Sequence, residues 1–169
     1  MYIMKKILCI STGGTFNKRY NPVKGALEVD DSSAALKEIR EKWQCEFEIV
    51  SIIGKDSLEM TSSDRLLLLA TINLSNYDDL IIVHGTDTME LTAAYLADSE
   101  LDKRVILTGA MVPYAIDPVD AVANFASAFG YLQLLDKNGI YIAMNGIAAP
   151  YEQITKERSA GKFILHTKG

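Results

Sequence analysis

The chain has 169 residues, of which 49% are hydrophobic and 23% charged, a size and balance that suit one globular domain with a core large enough to fold unaided. Its formal net charge is -5 and it has no block of Lys or Arg, which argues against a nucleic-acid partner. Its longest apolar run, residues 66–72, is too short to span a bilayer, and the run after the basic pair at residues 5–6 is too short for a signal peptide. We therefore expect a cytoplasmic protein with no membrane partner.

In chain order, short apolar segments predict five buried strands, at residues 6–10, 47–53, 79–83, 104–108 and 140–144. Helical patterns lie between them, and their start signals are Asp31-Ser32-Ser33, Thr61-Ser62-Ser63-Asp64, Thr86-Asp87-Thr88-Met89-Glu90 and Asp117-Pro118. Residues 16–29 are too rich in Asn, Lys, Gly and Pro for a helix and predict a mobile loop or hairpin. The alternation predicts an α/β fold: a three-layer, doubly wound, mostly parallel sheet of the Rossmann or flavodoxin-like kind.

Polar residues follow three of the predicted strands. These are Thr12–Thr15 with the sequence TGGT, Asp56-Ser57, and His84–Asp87. Ligands of doubly wound sheets bind outside the carboxyl ends of the strands, so the three turns are expected to meet at one site. The paired glycines would let backbone amides approach a ligand oxygen closely, because no Cβ blocks the way.

Taken singly, each of these motifs has a simpler interpretation. The glycine pair suits a tight turn, and it lacks both the GxGxxG and the GxxxxGK[ST] spacing of nucleotide-binding loops. Asp87 and Glu90 stand three apart, as a helix capping pair does. Ser57 and Lys156 alone suit a loop serine and a solvated lysine. Cys9 and Cys45 lack CxxC spacing and predict small buried residues without a disulfide, and we expect no metal and no cofactor.

In combination, the motifs resemble those of bacterial-type asparaginases and related glutaminases. The likeness runs in order over nearly the whole chain, through STGGT, DSLEMT, HGTDTMELTAAYL, ILTGAMVP and ITKER. It implies a domain like the N-terminal domain of that family. It also implies an amidohydrolase that converts L-asparagine to L-aspartate and ammonia through a threonine nucleophile.

The resemblance assigns roles to individual residues. It implies that Thr15 is the nucleophile, assisted by Tyr20, and that Thr86, Asp87 and Lys156 form a second triad. Because the neighbouring Asp87 favours the ammonium form of Lys156, we expect this lysine to act as a charge and orienter, with Thr86 and Tyr20 as relay hydroxyls. The residues expected to contact the small amino-acid substrate are Gly14, Asp56, Ser57, Thr86 and Asp87.

The chain also departs from the family pattern. Relatives carry a second, C-terminal domain that completes the active site of a neighbouring subunit, whereas residues 1–169 are expected to form a single N-terminal-like domain without it. A homodimer or higher homo-oligomer could cover the open site. Val112 stands where relatives commonly carry Arg, and Asp117 and Asn124 suggest subunit packing. Two alternatives stay open: a binding module for small amide or dicarboxylic amino acids, and an ammonia-supplying subunit of an amidotransferase.

Overall fold

The computed structural model describes residues 1–166 of the chain. Within them, four helices are α1 (Ala34–Trp43), α2 (Ser62–Leu74), α3 (Met89–Ala97) and α4 (Pro118–Leu134). The strands are β1 (Ile7–Gly13), β2 (Lys18–Asn21), β3 (Ala26–Val29), β4 (Glu48–Lys55), β5 (Asp79–Val83), β6 (Arg104–Thr108), β7 (Gly139–Met144), β8 (Ile147–Pro150), β9 (Ile154–Glu157) and β10 (Lys162–Leu165). No helix in this part of the chain is long and apolar enough to cross a membrane.

The central sheet has the order β4-β1-β5-β6-β7-β8. The first five strands are parallel, and β8 pairs antiparallel with β7. If the five parallel strands are numbered 1 to 5 along the chain, their order across the sheet is 2-1-3-4-5, which is the flavodoxin-like order. The switch point of this order lies between β1 and β5. The predicted doubly wound, mostly parallel α/β fold is confirmed.

Helices cover both faces of the sheet. On one face α1 and α4 pack through residues such as Leu36 and Phe125, and on the other α2 and α3 pack through Leu68 and Met89. Successive residues of the inner strands point to opposite faces, so both faces of β1 and β5 must be apolar. All residues of these two strands are buried, including the polar Ser11, Thr12 and Asp79 at the ends of the apolar runs.

The five predicted strands all form, but one prediction about them was wrong. β4 is an edge strand rather than a strand covered on both faces, and Val50 exposes 36% of its surface. β1 also extends three residues beyond the predicted end, to Gly13. The segment 16–29 forms the antiparallel hairpin β2–β3, one of its two predicted alternatives. The sequence did not predict β8 or the separate antiparallel pair β9–β10.

Two of the four predicted helix starts form as expected. Thr61 and Asp64 make a reciprocal capping box at α2, and Asp117 accepts the Val119 N–H at the start of α4. At α1 the Ser33 side chain makes no capping bond; instead Asp30 accepts the Ala34 N–H.

Asn124 and Cys9 are buried within the domain. Asn124 is 2% exposed, donates to the Gly109 carbonyl and accepts the Asn145 N–H, so its role is to tie α4 to two strand ends rather than to pack against a subunit. Cys9 is buried, which raises the pKa of its thiol, and Cys45 is half-buried; both are free.

Candidate active site

Three turns meet at the carboxyl end of the sheet, and contacts between glycine backbones hold them together. Gly14, which follows β1, has a φ of 74°, and a Cβ there would lie 2.6 Å from the Gly85 nitrogen. A Cβ on Gly85, which follows β5, would lie 2.6 Å from the Ser57 side chain. The Gly14 N–H also donates to the carbonyl of Lys55 at the end of β4. The predicted convergence of the three turns is therefore present, and it depends on residues without side chains.

Thr86, Asp87 and Lys156 are in direct contact. The Lys156 Nζ lies 2.8 Å from Thr86 Oγ1 and 2.7 Å from Asp87 Oδ1. The Lys156 side chain is 8% exposed and that of Asp87 33%, so this ion pair lies at the edge of the protein interior. The ammonium donates to the Thr86 oxygen, which leaves the Thr86 proton free to point elsewhere; here it faces the sulfur of Met111 at 3.3 Å.

Lys156 reaches the site from β9 because Glu90 of α3 holds that strand in place. The Glu90 carboxylate accepts the Lys156 backbone N–H at 2.6 Å and the Thr155 hydroxyl. The alternative interpretation of Asp87 and Glu90 as a helix capping pair is thus wrong. Asp87 binds Lys156, Glu90 binds β9, and α3 begins only at Met89.

Arg158 is a second cation at Asp87, and the sequence motifs gave it no role. Its Nη1 lies 3.2 Å from Asp87 Oδ1 and its Nη2 donates to the Asp87 carbonyl at 2.9 Å. The spacing gave only a weak signal: Arg158 stands two positions after Lys156, but β9 ends at Glu157, so strand alternation does not set the direction of the Arg158 side chain. The Met111 contact had no comparable signal, because it joins segments 25 residues apart.

Thr15 and Tyr20 occupy the adjoining segment. Thr15 is half-buried and opens a short 3-10 helix, Thr15–Asn17, directly after Gly14. Tyr20 lies on β2 opposite Leu27 and exposes 64% of its surface. The hairpin is fixed at its base, where Lys18 pairs with Asp56 at 2.7 Å. This ammonium is the main cause that lowers the pKa of the Asp56 carboxyl.

Ser57 lies under the turn that follows β5. It is 1% exposed, its Oγ accepts the Thr88 N–H at 3.3 Å, and its carbonyl accepts the Thr88 hydroxyl at 2.9 Å. The Ser57 hydroxyl keeps its own proton to donate, since it acts as an acceptor in that contact. Ser57 therefore links the turn after β4 to the start of α3.

The mostly parallel sheet, with a Lys–Thr–Asp cluster beside its switch point, defines a flavodoxin-like α/β domain with a polar cluster at the edge where such sheets bind ligands. Residues 6–162 match the family model described as asparaginase, N-terminal, and the chain belongs to the asparaginase family. The resemblance carried by its motifs is confirmed.

Individual relatives agree with this assignment. The chain is 29% identical over 179 residues to a probable periplasmic L-asparaginase of Haemophilus influenzae, covering 97% of this chain and 50% of that protein. The solved thermostable L-asparaginase of Thermococcus kodakarensis matches with a TM-score of 0.80 and 26% identity, covering 95% of this chain and 51% of that one. A component of the glutamyl-tRNA(Gln) amidotransferase of Methanosarcina barkeri is 31% identical over 99 residues, which cover 56% of this chain and 23% of that protein. The chain spans about half the length of the first two relatives.

Proposed function

We propose that this domain is the catalytic part of an amidohydrolase that cleaves the side-chain amide of L-asparagine to give L-aspartate and ammonia. The observation that carries the proposal is the contact of Lys156 with Thr86 and Asp87, beside the turn that holds Thr15. Membership of the asparaginase family supports the same chemistry. Two relatives are named L-asparaginase.

In the proposed mechanism the Thr15 hydroxyl attacks the amide carbon. A threonine hydroxyl is a weak nucleophile at neutral pH, so its proton must be removed as the bond forms. Tyr20 on the hairpin relays that proton to the leaving nitrogen, the carbon–nitrogen bond breaks, and ammonia departs. Water then hydrolyses the ester on Thr15, which releases the carboxylic acid and restores the hydroxyl.

Lys156 acts in this mechanism as a fixed charge rather than as a base. Its ammonium pairs with Asp87 Oδ1 at 2.7 Å, and an ammonium cannot accept a proton. It donates to Thr86 Oγ1 instead, so the Thr86 hydroxyl is oriented to donate to the substrate amide. The Gly14 N–H already bonds the Lys55 carbonyl, so the backbone amides of Thr15 and Thr86 are the ones that stabilise the oxyanion. Each such donor typically contributes about a hundredfold to a thousandfold in rate.

The test is ammonia release from L-asparagine by the purified chain and its variants. Thr15→Ala and Lys156→Met are expected to abolish release, because one lacks the nucleophile and the other lacks the cation that orients Thr86. Thr71→Ala is a matched control, since Thr71 lies on α2 and bonds only the Leu67 carbonyl of its own helix. Equal rates for the wild type and Thr15→Ala over a wide asparagine range would refute the proposal.

A second candidate function is supply of ammonia to a partner enzyme, within an amidotransferase. The likeness to the glutamyl-tRNA(Gln) amidotransferase component favours it. In that case the isolated chain releases little ammonia, and glutamine replaces asparagine as the better amide. The rates of ammonia release from asparagine and from glutamine separate the two candidate functions. Light scattering of the same samples tests the predicted homo-oligomer.

A further inference from the structure

Arg65 on α2 is a buried cation beside the candidate active site. It is 7% exposed, and its Nε and Nη2 lie 2.9 Å from Thr92 Oγ1 and 3.1 Å from Thr88 Oγ1. Its Nη1 donates to the Met60 carbonyl at 3.4 Å. The ion pairs found among residues 1–166 do not include it. Burial of a cation without a carboxylate partner lowers stability, so its presence here calls for a functional reason.

Two chains of hydrogen bonds start at the Arg65 guanidinium, and we call them its arms. The first arm leads to the carbonyl of Gly85. A guanidinium only donates, so Thr92 Oγ1 accepts from Arg65 and gives its own proton to His84 Nε2, 2.8 Å away. The His84 ring is neutral at pH 7, because burial lowers its pKa to about 4. Its proton is therefore on Nδ1, which donates to the Gly85 carbonyl at 2.7 Å.

The second arm leads to the carbonyl of Ser57. Thr88 Oγ1 accepts from Arg65 Nη2, and its proton then goes to the Ser57 carbonyl at 2.9 Å. Both arms run outward from one guanidinium, and each ends on a peptide oxygen of a turn at the site. A planar trans peptide directs its N–H opposite to its C=O. Fixing the Gly85 carbonyl toward His84 thus fixes the Thr86 N–H in the opposite direction.

We propose that Arg65 is a positioning residue for the candidate active site. Through Thr92 and His84 it sets the direction of the Thr86 amide, and through Thr88 it sets the position of the Ser57 turn. The kinetic consequence rests on the proposed function: the first arm serves the developing oxyanion, and the second serves the binding of the substrate.

The kinetic experiment separates the two arms in the purified chain with L-asparagine. Thr92→Val cuts only the first arm and is expected to lower kcat by about tenfold with little change in KM, because it misdirects one oxyanion donor. Thr88→Val cuts only the second arm and is expected to raise KM several-fold. Arg65→Met is expected to show both effects. Arg65→Lys keeps the charge but cannot donate to both threonines as a guanidinium does, so its kcat and KM are expected to lie between those of Arg65→Met and the wild type.

A matched control accounts for lost stability. Arg104 pairs with Asp79 at the opposite end of the sheet, so Arg104→Met is expected to lower the melting temperature while kcat and KM stay unchanged. If Thr92→Val and Thr88→Val change kcat and KM in the same way, or if Arg65→Lys equals the wild type, the two-armed role of Arg65 is wrong.

A second readout does not depend on activity. Nitrogen NMR of the ring of His84 is expected to show a protonated Nδ1 and an unprotonated Nε2 in the wild type, with this preference reduced in Arg65→Met and Thr92→Val. An unchanged ring spectrum in Arg65→Met would overturn the inference whatever the kinetics. Conversely, wild-type ammonia release no greater than that of Thr15→Ala would defeat the proposed function and leave the NMR result as the test of Arg65.

Discussion

The buried histidine makes the stability of this domain depend on pH in a range where few other groups titrate. His84 is fully buried and its pKa is lowered to about 4 from an ordinary 6.5, with burial as the largest cause. Between these two pH values the unfolded chain binds a proton on this ring that the folded chain does not. The folded state is therefore favoured above pH 6.5 and loses stability as the pH falls toward 4.

The size of the effect follows from the shift in pKa. The difference between 6.5 and about 4 corresponds to about 3 kcal/mol in the free energy of unfolding, at about 1.4 kcal/mol for each pKa unit. About 2 kcal/mol of this is lost between pH 6.5 and pH 5. Carboxyls whose pKa is lowered, such as Asp56 beside Lys18 and Glu28 beside Lys24, lose their contribution below their ordinary values of 3.8 and 4.5.

The assay is urea unfolding at several pH values from 7 to 5, with the wild type, His84→Asn and His166→Asn. His84→Asn removes the titrating ring, so its free energy of unfolding is expected to be lower at pH 7 but to vary much less with pH. His166 is exposed on the segment that follows β10, and His166→Asn is expected to keep the wild-type slope. A slope in His84→Asn as steep as in the wild type would show that the ring is not buried in its neutral form.

Two further predictions concern the backbone at the site and at a helix start. Gly14→Ala is expected to destabilise the fold by at least about 2 kcal/mol, because its Cβ would meet Gly85. Gly146→Ala is the control, since Gly146 has a similar φ of 75° but open space around the position of a Cβ. An equal loss of stability in both variants would rule out the contact with Gly85 as the cause. Asp117→Ala is expected to lower the free energy of unfolding by about 1 kcal/mol, since it removes the acceptor of the Val119 N–H. Asp117→Asn should restore most of that loss in the same urea assay, and no difference between the two variants would contradict a capping role.

The sequence predicted the parts of the fold that depend on local pattern. The segments 79–83 and 104–108 form strands with the predicted bounds, because buried parallel strands need an unbroken apolar run. The start of α2 was predictable for a similar reason, since Thr61 and Asp64 bond each other within one turn. The hairpin β9–β10 was not predicted, because its side-chain pattern does not alternate clearly and its position depends on a distant partner, Glu90.

For the candidate site, the sequence by itself determined which side chains stand at strand ends, and therefore that Thr15, Ser57 and Thr86 share one edge of the sheet. That conclusion needs only the parallel alternation of strands and helices. The family resemblance also implied that Lys156 groups with Thr86 and Asp87. Only the tertiary structure decided the other contacts around the site. The pairing of Asp56 with Lys18 and the contacts of Arg65 with Thr88 and Thr92 join residues 23 to 38 positions apart. Hydrogen bonds of 2.7–3.1 Å form only when two atoms are close and well aligned. The spacing of residues along the sequence does not determine which distant segments the fold brings to that distance.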